Sequence, residues 1–125
     1  MLLLKLLYLA NVAVASTVGL ASLLFPAGAA RGVFSRAYPP SETMRLVGCF
    51  WLAIAFLSLM GLWRPLPFAP VLLLQLCYKS TWLVAVALPA FQRKEPFPRT
   101  MALFFGAWVL VLPLLIPWQR LLEGA

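Results

Sequence analysis

Four long apolar runs divide this chain, and charged residues mark their ends. The first is uncharged from Leu6 to Ala30 and the second from Leu46 to Trp63. The third runs from Pro65 to Gln92, interrupted by Lys79 alone, and the fourth from Met101 to Gln119. About 20 apolar residues carry a helix across the hydrocarbon core. The runs are continuous and do not alternate apolar with polar, so they read as helices and not as strands of a membrane barrel. The pattern predicts helices over about 4–25, 42–63, 67–90 and 100–117. Their short connections imply an all-α, up-down bundle of four transmembrane helices, with residues 1–125 forming a single membrane domain.

The punctuation between the runs supports this division. Lys5, an apolar stretch and Ala13-Val14-Ala15 resemble a secretory leader with its cleavage site. The apolar run continues past that site to Phe25, so the segment is expected to be the first helix. The longest connection, about 26–40, carries Arg31, Arg36, Phe34 and Tyr38 and fits a short interfacial helix within 27–38. Pro39-Pro40 then interrupts the chain, Ser41 is placed to cap the second helix, and Glu42 sits in its first turn. Arg64-Pro65-Leu66-Pro67 reads as a tight hairpin, and 92–99 as a charged loop. The fourth helix contains Pro113 and is expected to end near Pro117-Trp118.

Composition narrows the class further. The 125 residues are 64% hydrophobic and 10% charged, with mean hydropathy +0.97. Soluble domains carry roughly 25% charged residues, so there is too little polar surface here to face water. The net charge is +7, yet the positives cluster in short loops with no aromatic-interleaved basic patch. Lipid headgroups explain them, and no nucleic-acid partner is implied. Arg31, Arg36, Arg45, Arg93, Lys94 and Arg99 outnumber Lys5, Arg64 and Arg120 on the opposite side. The bias puts the first and third loops in the cytoplasm and both termini outside. Arg45 is expected to snorkel to the cytoplasmic headgroups, and Trp63 and Trp118 to lie at the outer interface.

Lys79 is the anomaly. An ammonium within the hydrocarbon costs about 3 kcal/mol or more. A rise of 1.5 Å per residue places it about 20 Å from either end of its run, beyond comfortable snorkelling reach. Gln75, Tyr78, Lys79 and Trp82 follow the i, i+3, i+4, i+7 spacing and share one helix face. Asn11 lies at matching depth on the first segment, so Asn11, Gln75, Tyr78 and Lys79 could meet at mid-membrane. Glu42, Glu95 and Glu123 all lie near segment boundaries, so no acid within the membrane can pair with Lys79. Either its partner comes from outside the bundle or the group is neutral. The cluster admits three readings: interhelical hydrogen bonding of about 0.6–2 kcal/mol per bond, a site for a polar or anionic group of a lipophilic ligand such as a quinone carbonyl, or a contact to another subunit.

Catalytic chemistry is sparse. The chain has no histidine, and its two cysteines, Cys49 and Cys77, form no C-x-x-C pair. That argues against zinc, His-ligated haem and the familiar triads, and no cofactor or metal is expected. The cysteines differ in depth by about 10 Å, too far for a disulfide. Ala13, Thr17 and Ala21 form a small-residue stripe on the first helix, and Ala102 and Gly106 repeat the spacing on the fourth. Both stripes, and Gly48 on the second helix, read as packing faces.

Three local patterns carry a family resemblance: Arg45-x-x-Gly48, Gln75-x-x-Tyr78-Lys79-x-x-Trp82-Leu83, and Ile116-Pro117-Trp118. Together they resemble small four-helix bacterial membrane proteins of the DoxX-like and related groups of unknown function. The resemblance implies a bacterial inner-membrane location and a bias toward quinone-linked complexes, and it carries over no catalytic residue. Small multidrug exporters, fluoride channels and vitamin K epoxide reductase-like proteins fit less well. The intramembrane glutamate, the glycine- and arginine-containing signature and the C-x-x-C that mark them are not found. The expected function is a non-catalytic accessory or scaffold subunit of a larger membrane complex, associating with other subunits or with itself. The alternative is a binder or carrier of a quinone- or lipid-like ligand at Lys79.

Overall fold

The computed structural model describes residues 2–123, and it is all-helical. Helix α1 spans Leu2–Leu24 and passes, through Phe25, into the short α2, Pro26–Arg31. Pro26 opens α2, where its missing N–H costs nothing. The chain then reverses through left-handed Ser35 and Arg36 (φ 50° and 62°), and the Arg36 N–H reaches the Ala30 carbonyl at 2.7 Å. Helix α3, Glu42–Trp63, begins as the spacing predicts: the Ser41 hydroxyl accepts from the Met44 N–H at 3.1 Å.

The turn after α3 is longer than the expected hairpin. Residues 65–69 wind through successive turns, so α4 starts at Pro70 and not at 67. Helix α4, Pro70–Trp82, continues through a π-helical turn at Leu83–Ala87 into α5, Leu88–Gln92. Pro89 accounts for the π turn. It cannot donate to the carbonyl four residues back, and its ring would crowd that carbonyl. The chain widens instead, and the Leu88 N–H bonds the Leu83 carbonyl five residues back. The rod closes with Lys94 in the left-handed region (φ 58°), the Glu95 N–H on the Ala90 carbonyl and the Lys94 N–H on that of Phe91.

Helix α6, Arg99–Leu115, stops two residues before the expected 117. Ile116 precedes Pro117 and is driven to an extended ψ of 130°. Pro117 has no N–H to offer the Pro113 carbonyl, and the Trp118 indole takes that place at 2.8 Å. Trp118, expected as an interface anchor, is thus also a helix cap; it opens the short α7, Trp118–Leu122.

Among the described residues, three stretches are long and apolar enough to cross a membrane: Leu2–Leu24, Glu42–Trp63 and Pro70–Gln92. The fourth apolar helix has 17 residues and rises about 25 Å, short of the roughly 30 Å hydrocarbon core. The outward faces are largely apolar, and the exposed Thr17 and Thr81 hydroxyls bond back to the Ala13 and Cys77 carbonyls of their own helices. Leu103, Leu110 and Leu114 on α6 are more than three-quarters or three-quarters exposed (78%, 75% and 82%), as suits contact with lipid and not with water.

The helices pack as two pairs, α1 along α3 and α4 along α6. The first pair is close because glycines meet: a Cβ on Gly48 would lie 2.8 Å from the Gly19 carbonyl oxygen, and one on Gly19 would lie 3.0 Å from that of Gly48. The small-residue stripe of α1 therefore differs from the expected one. Ala15, Gly19 and Ser22 are the buried small residues of α1, whereas Ala13 and Thr17 are exposed and Ala21 is half-buried. Gly106 also departs from expectation. Nothing lies within 4 Å of where its Cβ would stand, and Ala102 beside it is only half-buried. At one end of α1, Tyr8 lies against Gly61 and donates its hydroxyl to the Pro65 carbonyl at 2.6 Å. At the other, the Arg45 Nε donates to the Leu23 carbonyl at 3.0 Å while Nη1 pairs with Glu42 at 3.2 Å. Arg45 is thus a cap for α1.

Candidate functional site

The site lies between the two helix pairs. From α4 come Gln75, Tyr78 and Lys79; from α1, Asn11; from α3, Trp51; from α6, Phe104, Phe105 and Trp108. Asn11 and Gln75 form a reciprocal amide pair: Asn11 Nδ2 donates to Gln75 Oε1 at 2.7 Å, and Gln75 Nε2 returns a bond to Asn11 Oδ1 at 3.2 Å. Both are buried, and together they satisfy two polar groups that hydrocarbon would otherwise penalise. One turn along, the Trp51 indole N–H donates to the Tyr78 hydroxyl at 3.3 Å.

Lys79 is 4% exposed. Its ammonium does not join the amide pair. It sits in an aromatic cage instead, with Nζ 4.7 Å from the Phe105 ring centre, 5.0 Å from Trp108, 5.7 Å from Tyr78 and 5.9 Å from Phe104. Each cation–π contact contributes about 0.5–2 kcal/mol, more where water is excluded. Four together are of the order of the roughly 3 kcal/mol minimum cost of the buried charge. The rings stabilise the charge but accept no strong hydrogen bond, and among the described residues no protein acceptor bonds the ammonium. The one ion pair among those residues is Arg45–Glu42, in the first turn of α3.

Lys79 faces a chamber of about 210 Å³, which Asn11, Gln75, Tyr78, Trp51, Phe105 and Trp108 help to line. Gly32, Val33 and Thr100 line it toward the side of the first and third loops. A second, larger cavity of about 620 Å³ lies alongside, walled by apolar side chains including Met44, Ile54, Leu57 and Leu74. The two meet at Trp51, Tyr78, Met101 and Phe105, which line both. Lys79 is the only charged residue lining either one.

This chain matches no known family model, curated protein or solved structure.

Of the residues singled out by sequence, Asn11, Gln75, Tyr78 and Lys79 are brought to one chamber. Trp82 lines the larger cavity and meets the Phe105 ring edge-on at 5.4 Å. Trp63 is exposed near the end of α3. Cys49 and Cys77 are both free and exposed. Sequence reasoning missed the cage and Trp51. The signal was present in the fourth run: Phe104-Phe105-x-x-Trp108 gathers three rings within one helical turn. No group of His, Cys, Asp and Glu able to hold a metal is found among the described residues.

Proposed function

We propose that this chain is a four-span membrane protein that binds a lipophilic ligand, with Lys79 as its polar anchor. One observation carries the reading. A lysine 4% exposed, its ammonium held among four rings, faces an open-mouthed chamber and has no protein hydrogen-bond acceptor among the described residues. Purely structural use of the lysine would leave its donors unmatched, and an unmatched buried donor costs about 1–3 kcal/mol, more when charged. A ligand that brings an acceptor removes that cost. The fourth span is supported by the packing of α6 along α4 and by its lipid-suited outer face. A helix this short is accommodated by local bilayer thinning, at fractions of a kcal/mol per ångström. The excess of arginine and lysine on loops one and three favours their cytoplasmic placement.

The test compares the wild-type protein with Lys79→Met, purified from the same membranes. Organic extracts of the two are compared by mass spectrometry. A lipophilic species should accompany the wild type at a fixed molar ratio and be lost from Lys79→Met, with helicity by circular dichroism unchanged. Equal retention of the same species by both proteins would sink the reading.

A second reading, an accessory subunit, draws on the exposed small residues Ala13 and Thr17 on the outer face of α1. It requires other chains to co-purify at fixed stoichiometry. A particle containing this chain alone counts against it.

A further inference from the structure

Charge and volume narrow the ligand class. Across both cavities there is one cation and no anion. A neutral acceptor would leave the ammonium charge to the rings alone, and a dianion would exchange one unpaired charge for another. A monoanion cancels it. Size limits the head group. An apolar cavity of about 150 Å³ accepts benzene, so a 210 Å³ chamber holds a compact head and little more. The 620 Å³ cavity falls within the roughly 300–1,000 Å³ of small-molecule sites, and its wall is apolar. Trp51, Tyr78, Met101 and Phe105 form the common wall of the two cavities, so a molecule with its head in the first reaches the second where these side chains turn aside.

The surroundings suit an anion. Arg31, Arg36, Arg93 and Arg99 flank the loops on the side where Gly32, Val33 and Thr100 line the chamber. Such a rim raises the local concentration of anionic ligands. The Asn11–Gln75 pair uses one N–H of each amide, so each keeps a second donor for the head group.

We infer that the ligand is a single-chain amphiphile with a carboxylate head, its carboxylate on the Lys79 ammonium and its chain in the larger cavity beyond Trp51 and Tyr78. The inference rests on the ligand-binding reading above and specifies it.

The test uses the full chain in nanodiscs of a neutral phosphatidylcholine. Radiolabelled hexadecanoate, its methyl ester and 1-hexadecanol are titrated, and saturable binding above empty nanodiscs is measured. Hexadecanoate should bind at one per chain. The ester and the alcohol should bind at least about tenfold more weakly, the loss expected for one charge-assisted hydrogen bond. Lys79→Met should reduce hexadecanoate to the affinity of the ester and leave the ester unchanged. Ala53→Phe, an exposed position on the larger cavity, should weaken hexadecanoate several-fold while sparing octanoate. Equal affinity for acid and ester, undiminished binding of the acid by Lys79→Met, or no saturable binding of hexadecanoate overturns the inference. If a neutral species nevertheless leaves with wild-type extracts and not with Lys79→Met, the carboxylate fails and the ligand-binding reading stands. If neither experiment finds a ligand, both fall.

Discussion

Gly61→Ala probes the α1–α3 contact with a single methyl group. A Cβ at Gly61 would stand 2.5 Å from Tyr8 Cε1 and 2.7 Å from both Cδ1 and Cζ. The ring has no room to retreat, because Tyr8 is wholly buried and its hydroxyl is fixed at 2.6 Å on the Pro65 carbonyl. Overpacking of this kind costs about 1–3 kcal/mol. If the ring moves, its hydrogen bond goes too, at about 0.5–1.5 kcal/mol. Alanine returns about 1 kcal/mol through its better helix propensity. The net expectation is a loss of about 0–2 kcal/mol if the hydrogen bond holds and about 0.5–3.5 kcal/mol if it goes. Gly106→Ala is the control, since nothing lies within 4 Å of its Cβ position. It should gain about 1 kcal/mol from propensity alone. The assay is unfolding of the purified protein in mixed micelles by increasing denaturing detergent, followed by circular dichroism. The two substitutions should move the midpoint in opposite directions. A Gly61→Ala midpoint equal to or above that of Gly106→Ala would refute the contact. Tyr8→Val should relieve part of the Gly61→Ala loss, a coupling that distant sites do not produce.

The same unfolding assay reads the remaining predictions. Asn11→Leu and Gln75→Leu should each destabilise, because each leaves the other amide buried without its partner, whereas the double variant should cost less than the two singles combined. The coupling should be about 0.6–1.7 kcal/mol, the range for hydrogen bonds between membrane helices, and strict additivity would show that the pair is not formed. Lys94→Gly should stabilise by about 0.5–1 kcal/mol, because Lys94 holds a left-handed φ of 58° that suits glycine at a helix end. No gain there would mean the end of the rod adopts another geometry in solution.

Much of the fold could be read from the chain because charge and proline punctuate it. Ser41, Pro39-Pro40 and Arg64-Pro65 mark the ends of α3 in sequence and in structure alike. The fourth run was legible as a helix, but its length was not. Pro117 acts on the residue before it and ends α6 at Leu115. The packing face of α1 was misread because two small-residue stripes lie on nearly opposite sides of that helix. Asn11 could have separated them: it shares a four-residue repeat with Ala15 and Gly19, and a polar residue in lipid turns inward. The Asn11–Gln75 pairing follows from matched depth in the first and third spans, which run in the same direction in an up-down bundle. The aromatic cage is not legible in the same way, because rings carry no formal charge and their convergence on Lys79 depends on how α6 is rotated against α4.

The close approach of Gly19 and Gly48, with a tie at either end of α1, makes α1 and α3 behave as one plate. Helices α4 and α6 form the other, and direct contact between the plates is sparse. Across the seam run Tyr8–Pro65 near the turn, Asn11–Gln75 at mid-depth, and Trp51–Tyr78. The turn at 65–69 lies where the spine of a book would, and the two side-chain pairs lie where its clasps would. Opening the book disturbs few backbone contacts and widens the gap beside Lys79. Parting the two plates would therefore alter access to Lys79, the one buried charge among the described residues.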